Sequence, residues 1–418
     1  MKKRKVIVVG GGFAGIQLVR RLDDKLFDIL LIDKINHHQF QPLFYQVATS
    51  QIEPSSISFP LRHIFRNKDN VQIRMAEVIG VDDSNKIIST TIGTFEYDYL
   101  VLAIGCKTNF FGNENLSKQV LSLKSTYDAI TIRNHILLNF ENILSAREEE
   151  KEGLFNIVIV GGGPTGVELA GAFSEIKKNI LPRDFHRIDF SKLNIILIEG
   201  SKNTLNSMSD AARRTSRDYL RKMGVDIQLE KIVKNYNGEI LELTNGEFIK
   251  TKSVIWAAGV IANEISGIPL DSITPDKRIR VDRINRVSGM EDVFAIGDIA
   301  RMETPKYPKA HPQLANVAIN QAKNLARNLK NLQRNKNLIE YEYKDLGTMA
   351  TIGRNKAIVD FPFLRIKGFF GWLIWMFLHL MLILSVKNKL LIFINWAWAY
   401  ITKNTSLRLI LKDNKNKS

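Results

Sequence analysis

The chain has 418 residues, of which 45% are hydrophobic, so two or three domains with large cores are expected. The formal net charge of +16 favours nucleic acid or an anionic membrane as a partner. Because the basic residues are scattered and no nucleic-acid motif is visible, the membrane is the better interpretation, and no nucleic-acid partner is expected. The single cysteine, Cys106, excludes an intramolecular disulfide, a cysteine-pair redox centre and a cysteine-ligated iron–sulfur cluster.

The first residues, Met1–Lys5, are mostly basic and look briefly like the start of a signal peptide. The apolar run after them, Val6–Val9, is too short for the hydrophobic region of such a peptide. We therefore expect a basic cap on a first strand and an intracellular protein.

A βαβ unit is predicted over residues 4–34, where a short apolar strand leads into a glycine-rich turn and a helix. Gly10 allows the tight turn, Gly12 lets the backbone approach a pyrophosphate, and Gly15 lets the helix pack on the strand. The following strand ends at Asp33, where a carboxylate can accept a hydrogen bond from a ribose hydroxyl. The alternative is that Asp33 is only a solvated strand end.

The same pattern recurs in the middle of the chain, with Gly161, Gly163 and Gly166 in the turn and Glu199 at the end of the next strand. One such motif is a weak signal, but two, each with a later strand that ends in an acid, predict two bound dinucleotides. An acid at position 199 suits the free 2′-hydroxyl of NAD and repels the 2′-phosphate of NADP. Lys202, close by, leaves that preference open.

Each half also closes with an apolar strand and a glycine. The strand Tyr97–Ala103 precedes Gly105, and residues 254–258 precede Gly259. A further strand over 292–296 leads to Asp298, which is placed either to accept from a flavin ribityl hydroxyl or to cap its turn. A helix is predicted from near Gln313 to about residue 331.

The adjacent histidines His37 and His38 invite interpretation as a metal site. Adjacent side chains diverge on any regular element, and no Cys, Asp or Glu nearby completes a ligand set, so no metal is expected. We interpret residues 36–49 as a loop and helix packed beside a cofactor. Residues 113–155 are expected to be a helical connector that ends in a solvated charge run.

Three further segments narrow the interpretation, namely residues 41–48 (QPLFYQVA), 256–260 (WAAGV) and 311–321 (HPQLANVAINQ). Together with the paired glycine turns and the Gly-Asp at 297–298, they resemble the two-dinucleotide-binding flavoproteins. Within that superfamily the chain resembles the type II NADH:quinone oxidoreductases, which are single-subunit, non-proton-pumping respiratory dehydrogenases. The resemblance covers nearly the whole chain.

The resemblance implies FAD at the first turn, NADH at the second, and a catalytic role for Glu168 beside the nicotinamide and flavin rings. The residues that it places at FAD are Gly10, Gly12, Ala14, Gly15, Asp33, Lys34, Val78, Gly105, Asp298 and Ala315. Those that it places at NADH are Gly161, Gly163, Gly166, Glu199 and Gly259. The quinone end of the third segment corresponds to Asn316, Asn320 and Gln321. The family usually has two glutamines four residues apart there, and Asn316 and Asn320 keep the amide but have a shorter reach.

The C-terminal tail is apolar over residues 368–386, and a helix of that length would measure roughly 28 Å against a hydrocarbon core of about 30 Å. Residues 390–401 are also apolar but too short to cross. Basic residues flank both sides: Arg354, Lys356, Arg365, Lys367, Lys387, Lys389, Lys403, Arg408, Lys412, Lys415 and Lys417. Positive charge on both flanks favours a monotopic hairpin in one leaflet over a transmembrane span by 368–386. A core or dimerisation hairpin is the remaining alternative.

The predicted fold class is α/β, with two doubly wound Rossmann-like domains and a C-terminal helical membrane-binding tail. We expect a split FAD-binding domain over 1–115 and 265–340, an inserted NADH-binding domain over 116–264, and an anchoring region over 341–418. The tail would bind the lipid bilayer at the cytoplasmic face of the inner (plasma) membrane. By resemblance alone, a homodimer is an option.

The predicted function is hydride transfer from NADH to non-covalent FAD, followed by two-electron reduction of a membrane quinone. Three alternatives stay open: an NADH-binding redox sensor, a flavin NADH oxidase and a ferredoxin reductase. A sulfide:quinone or disulfide reductase is disfavoured because both need a cysteine pair.

Overall fold

The computed structural model describes residues 2–404 and 407–411. The predictions for Met1, Lys412, Lys415 and Lys417 lie outside these residues. The chain divides into two compact units, each with its own parallel sheet. The first unit comprises Met1–Gln39, Phe59–Lys107 and Val260–Lys344. The second comprises Phe40–Ser58, Thr108–Gly259 and Asp345–Ser418.

The first unit is built on a five-stranded parallel sheet. Its strands, in spatial order, are Val293–Ala295, Tyr99–Leu102, Arg4–Val9, Phe27–Asp33 and Val71–Met75. The central strands are rich in Val, Ile and Leu because both faces of such a sheet are covered, and Val6–Val9 are all buried.

The remaining elements of the first unit include an antiparallel meander, short strands and three helices. The meander consists of Val78–Asp82, Ile87–Thr90 and Gly93–Glu96. The short strands are His37–Gln39, Val260–Ala262, Ile279–Val281 and Ala300–Met302. The helices are Phe13–Arg21, Leu61–Ile64 and Ala315–Leu332. The strands Ser58–Pro60 and Cys106–Thr108 fall where the chain passes from one unit to the other.

The second unit repeats this plan. Its parallel sheet has the order Leu121–Ser122, Ser253–Trp256, Asn156–Val160, Asn194–Glu199 and Val225–Leu229. Two antiparallel sheets accompany it: Val233–Tyr236, Ile240–Leu243 and Phe248–Lys250, and Thr348–Gly353, Lys356–Asp360 and Arg365–Lys367. The helices are Phe44–Ala48, Glu114–Gln119, Thr126–Ile143, Glu148–Phe155, Pro164–Asn179, Leu181–Asp184, Asp210–Lys222, Gly368–Leu382 and Val386–Thr402.

In both sheets the strand before the glycine turn lies between the strand that ends in an acid and the closing strand. Because the strands are parallel, their carboxyl ends meet at one edge, where ligands of doubly wound sheets bind. Local sequence therefore places each turn beside its acid. The α/β prediction, with two Rossmann-like sheets and a helical C-terminal region, is confirmed.

The tail corrects one prediction, since residues 368–386 do not form a single helix. The first helix, Gly368–Leu382, ends where Ile383 adopts an extended backbone, and a second helix begins at Val386. The 15-residue first helix is about 22 Å long, well short of the hydrocarbon core of about 30 Å. Among the residues that the structure describes, no helix has both the length and the apolarity needed to span a membrane.

Residues 345–418 belong to the second unit, because the strand Thr348–Gly353 packs along the helix Pro164–Asn179. A Cβ on Gly171 would lie 1.8 Å from the carbonyl oxygen of Ile352, so only glycine permits this close crossing. The tail therefore contributes a strand to the packing of this unit. Three assignments remain predictions: FAD binding by residues 1–115 with 265–340, NADH binding by residues 116–264, and membrane anchoring by residues 341–418.

Candidate functional site: two glycine turns and a carboxyl-lined cavity

The first glycine turn has a backbone that side chains would block. Gly10 has φ +107°, and a Cβ there would lie 2.3 Å from the carbonyl oxygen of Ala103. A Cβ on Gly15 would lie 1.9 Å from the carbonyl oxygen of Gly10. Around the Cβ position of Gly12, in contrast, no heavy atom lies within 4 Å. The turn thus leaves an open approach to the N–H groups at the start of the helix Phe13–Arg21, which suits a phosphate group.

Asp33 and His38 hold the middle of this turn from both sides. The Asp33 carboxylate accepts hydrogen bonds from the backbone N–H groups of Gly11 and Ile35. His38 Nδ1 donates to the carbonyl oxygen of Gly11 at 3.0 Å. Burial raises the pKa of Asp33 and lowers the pKa of His38 to about 4, so the imidazole is neutral at pH 7. The role of His38 was missed from the sequence, because its partner lies 27 residues away.

Within residues 2–404 and 407–411, no three His, Cys, Asp or Glu side chains are grouped to hold a metal ion.

The turn that carries Asp298 is fixed against two helices of the first unit. The N–H of Gly297 donates to Gln321 Oε1 at 2.8 Å, and Gln313 Nε2 donates to the Asp298 carbonyl oxygen at 2.9 Å. A Cβ on Gly297 would lie 3.2 Å from the Cβ of Ala14. The turn that carries Asp298 therefore lies against the start of the first helix, and the contact of Asp298 with FAD remains a prediction. The open approach at Gly12 and the glycine-only contacts fit FAD.

The other residues predicted at FAD occupy varied positions. Lys34 forms an exposed ion pair with Glu77, next to Val78 at the start of its strand. Gly105 has φ +63° and no heavy atom within 4 Å of its Cβ position. Ala315 is the first residue of its helix, two residues later than the predicted start. Their FAD contacts remain predictions.

The second turn reproduces the geometry of the first. Gly161 has φ +113°, and its Cβ would lie 2.5 Å from the carbonyl oxygen of Ala257. A Cβ on Gly166 would lie 1.9 Å from the Gly161 carbonyl oxygen, while that of Gly163 has no heavy atom within 4 Å. The residues present therefore also fit a dinucleotide pyrophosphate at this turn.

Glu199 takes the place of Asp33 in this second turn. Its carboxylate accepts from the Gly162 N–H at 2.6 Å and from the Ser201 N–H at 2.8 Å. Beside it lies a cavity of about 510 Å³, whose lining includes Phe110, Phe111, Asn113, Leu116, Val160, Gly161, Glu199, Lys231, Lys234 and Trp256.

Two lysines in the wall of this cavity are relevant to whether a nucleotide with a 2′-phosphate could bind there. Lys231 and Lys234 both line the cavity, and each forms an ion pair, Lys231 with Glu247 and Lys234 with Glu242. Lys202 is not among the described residues of the lining. If a lysine reaches a 2′-phosphate here, Lys231 is better placed than Lys202.

Gly259 lies at the close of the same sheet, with φ +142°. Its carbonyl oxygen accepts from the Asn109 N–H at 3.1 Å, and Trp256 Nε1 donates to the Asn109 carbonyl oxygen at 2.8 Å. These bonds hold the segment that precedes the cavity wall at Phe110.

Glu168 lines a second, smaller cavity, of about 70 Å³, in the second unit. Glu168 Oε1 accepts from the Thr351 N–H at 3.3 Å. Burial raises the pKa of Glu168 to about 8. A carboxyl that titrates near neutral pH is suited to hold or release a proton.

The rest of this cavity comes from segments far apart in sequence. Its lining comprises Tyr45, Gln46, Gln51, Glu168, Ala172, Glu175, Thr351, Gly353, Arg354, Trp372, Trp375, Met376, Trp396, Ala399 and Tyr400. Gln46 Nε2 donates to the Tyr45 hydroxyl at 2.8 Å, and Gln46 Oε1 accepts from Trp396 Nε1 at 2.8 Å. Sequence reasoning missed these residues, although Tyr45 and Gln46 lie in one of the segments that carried the family resemblance.

The residues predicted at the quinone behave differently from one another. Asn320 Nδ2 donates to Asn316 Oδ1 at 2.8 Å, and both side chains are half-buried. Gln321 is buried and accepts from Gly297. The described lining of the Glu168 cavity includes none of the three. Their assignment to the quinone stays a prediction.

Comparison with known proteins agrees with this arrangement. Residues 4–322 match the family described as pyridine nucleotide-disulphide oxidoreductase. Residues 346–404 match the NDH2 C-terminal domain. The fold and the paired turns therefore define a pyridine-nucleotide-dependent oxidoreductase with an NDH2-type tail.

Individual relatives narrow this class. The chain is 31% identical to the type II NADH:quinone oxidoreductase Ndh of Mycobacterium tuberculosis, over 96% of this chain and 89% of that protein. It is 30% identical to the mitochondrial internal alternative NAD(P)H-ubiquinone oxidoreductase A1 of Arabidopsis thaliana, over 96% and 84%. The fold matches the NDH2 structure from Plasmodium falciparum solved with NADH, at a TM-score of 0.90 and 21% identity, over 98% and 100%. The chain belongs to the type II NADH:quinone oxidoreductase family.

Proposed function

We propose that this chain oxidises NADH through a non-covalently bound FAD and reduces a membrane quinone by two electrons without pumping protons. The observation that carries the proposal is the pair of glycine turns, which match in φ, in backbone approach and in the acid that holds them. Two such cradles in one chain suit two dinucleotides. Membership of the family supports their assignment to FAD and NADH.

In this proposal the residues of the chain bind, orient and hold a proton. The first turn and Asp33 bind the FAD pyrophosphate and ribose, and Asp298 accepts from the ribityl chain. The second turn binds the NADH pyrophosphate, and Glu199 selects the free 2′-hydroxyl. FAD held by these residues would supply the chemistry of hydride acceptance from NADH and of two-electron transfer to the quinone. Glu168 orients the nicotinamide or holds the proton that the quinone needs, at its cavity-facing carboxyl oxygen.

Membrane association is assigned to the two tail helices. Their exposed side chains include Phe370, Leu373, Phe377, Trp398 and Ile401, and exposed apolar and aromatic side chains on two neighbouring helices suit the interfacial zone of a bilayer. Lys387, Lys389 and Lys403 border the second helix and suit anionic headgroups. We infer that the tail docks as a monotopic hairpin at the cytoplasmic face of the inner membrane, where a lipid-soluble quinone is available. The family resemblance also implies that two copies of the chain form a homodimer through this tail.

Quinone-dependent turnover by the purified full-length protein tests the proposal. In detergent, under anaerobic conditions, NADH oxidation should require added quinone and should produce one quinol per NADH. A protein that binds NADH but reduces no quinone would instead be a redox sensor. Rapid NADH oxidation that needs only oxygen would point to an NADH oxidase.

A further inference from the structure

Quinone reduction needs one more proton than NADH can deliver, and an inference about its source rests on the proposed function. A hydride carries two electrons and one proton, whereas conversion of a quinone to a quinol takes two electrons and two protons. The second proton must come from water. A site closed off from bulk water therefore needs groups that carry it in.

Two carboxyl groups share the cavity that contains Glu168. Glu175 lies seven residues further along the helix Pro164–Asn179, so both side chains project from one helix face about 10.5 Å apart along the axis. Both line the same cavity. Of the described acidic residues, these two alone are part of its lining.

The strand Thr348–Gly353 and the residue after it anchor both carboxyls in the same way. Glu168 Oε1 accepts from the Thr351 N–H, and Glu175 Oε1 accepts from the Arg354 N–H. In each group one oxygen is occupied by the backbone, which leaves the second carboxyl oxygen for exchange of a proton.

The Glu175 end of the cavity lies next to partly exposed residues. Arg354 donates to the carbonyl oxygens of Ala399 and Tyr400, at 2.7 and 3.2 Å, and its guanidinium lies 5.4 Å from the centre of the Tyr400 ring. Tyr400 is exposed, and Arg354 is half-buried. A proton from water can therefore reach Glu175 at this end, and Glu168 lies two helical turns away along the same helix.

The surroundings of Glu175 shift the pKa of its carboxyl in opposite directions. Burial raises the pKa of Glu175, while the N–H of Arg354 and the charges of Arg354 and Lys356 lower it. Tyr45 lies in the same lining, and burial and the neighbouring carboxyls raise the pKa of its phenol, so it stays neutral. The net effect is a raised pKa, so the Glu175 carboxyl takes up a proton more readily than an exposed glutamate does.

We propose that Glu175 takes a proton from water at the Arg354–Tyr400 end of the cavity and passes it, through water in the shared cavity, to Glu168 about 10.5 Å away along the helix. Glu168 in turn gives its proton to the quinone oxygen and is reprotonated from Glu175. No electron moves on either carboxyl, and each cycle consumes one proton from water. Glu175 is thus a proton-relay residue that acts through Glu168.

The test is Glu175→Gln, which keeps an oxygen for the Arg354 N–H but cannot carry a proton. With a short-chain ubiquinone, kcat should fall roughly tenfold or more, since positioned proton transfer contributes about 10²- to 10⁴-fold. The solvent deuterium isotope effect on quinone turnover should rise, because proton delivery becomes slower. With ferricyanide, which accepts electrons without protons, NADH oxidation should stay as in the wild type. Glu239→Gln, an exposed carboxyl of the same unit, is the matched control and should change neither activity.

Chemical rescue provides a second readout. The smaller Glu175→Ala variant should regain quinone turnover with formate as an external proton carrier, and the wild type should not respond. Unchanged quinone turnover and isotope effect in Glu175→Gln would overturn the proposal. An equal loss with ubiquinone and ferricyanide would also overturn it, since that pattern indicates a structural role. Absence of quinone turnover in the wild type would instead refute the proposed function.

Discussion

The two glycine turns have almost the same backbone but differ in the helix that each of them begins. The residue two positions after the third glycine is Gln17 in the first helix and Glu168 in the second. Gln17 accepts from Arg21 at the surface, whereas Glu168 faces a cavity, where burial raises its pKa to about 8. The shared geometry is that of a dinucleotide cradle. The difference is that only the second helix carries a titratable side chain at this position.

The supporting acids differ as well. Asp33 and Glu199 each accept from the second glycine of their turn, but Glu199 borders a cavity with Lys231 and Lys234. The second turn thus combines an acid with two ion-paired lysines in the wall of one cavity.

The largest effect is expected from a side chain at the tight glycine. Gly161→Val should abolish NADH oxidation, because a β-branched residue resists φ +113° and its Cβ would lie 2.5 Å from the Ala257 carbonyl oxygen. If the copies are independent, flavin should stay bound, as measured by its visible absorbance. Gly10→Val should instead lose the flavin. Gly163→Ala is the control, since its Cβ meets no protein atom: it should keep the melting temperature and weaken only NADH affinity. Flavin loss from Gly161→Val would show that the turns have the opposite assignment.

The next largest effect is expected at Glu168, in contrast to Gln17 at the matching position of the first helix. Glu168→Gln should lower quinone turnover by about 100-fold, within the usual contribution of a positioned proton donor, and change NADH affinity far less. Because the pKa is about 8, wild-type quinone turnover should fall as the pH rises through 8, if the protonated form is required. Gln17→Ala, in the first copy, should be near neutral. Wild-type kinetics in Glu168→Gln would leave Glu168 only a weak role at the helix N-terminus, worth about 0.3–1 kcal/mol.

The C-terminal tail is a further difference between the two units, because it belongs to the second unit only. Phe377→Glu with Trp398→Glu should release the protein from membranes in a flotation assay, since both side chains are exposed on the tail helices. Activity with ferricyanide should persist, while activity with a long-tailed quinone should fall several-fold. Phe248→Glu, an exposed phenylalanine on a hairpin of the same unit, is the matched control.

Release by salt is a second test of how the tail is attached to the membrane. Salt at physiological strength screens charges beyond about 8 Å but does not oppose burial of apolar side chains. Wild-type protein should therefore need detergent to leave the membrane. Release by high salt alone would mean that the apolar helices are not inserted.

A smaller effect concerns the choice of nucleotide. Glu199→Gln should reduce the preference for NADH over NADPH in kcat/KM by about tenfold, which corresponds to about 1.4 kcal/mol. In that background, Lys231→Ala should lower NADPH activity further than Lys202→Ala, because Lys231 lines the cavity. A stronger effect of Lys202 would place the 2′ position elsewhere.

The last effect is on stability rather than on activity. Folding raises the pKa of Glu168 from its ordinary value of 4.5 to about 8, so the folded chain holds this proton more tightly. The free energy of unfolding should therefore fall as the pH rises from about 4.5 towards 8, and the loss is complete above 8. The Glu168→Gln variant has no titrating group at this position, so its free energy of unfolding should not fall in this way. Its melting temperature should exceed that of the wild type at pH 8.5 and approach it near pH 4.5, as measured by calorimetry.

The sequence predicted those features that depend on short-range order. The strands before the turns, the glycines and the acids at 33 and 199 all lie within one βαβ unit each, so pattern alone locates them. His38 and Glu175 escaped because their partners are distant: His38 bonds Gly11, and Glu175 bonds Arg354, 179 residues away. The break after Leu382 escaped because hydropathy continues unchanged across it. Tertiary packing, rather than local propensity, decides such features.

Anaerobic reduction of the bound flavin tests most directly the claim that two cradles work in sequence. One equivalent of NADH should bleach the flavin absorbance of the full-length protein, and subsequent addition of a short-chain ubiquinone should restore it. The flavin should be recovered as free FAD in the supernatant after acid precipitation. Bleaching by NADH that quinone does not reverse, or a flavin that NADH cannot reduce, would contradict the account.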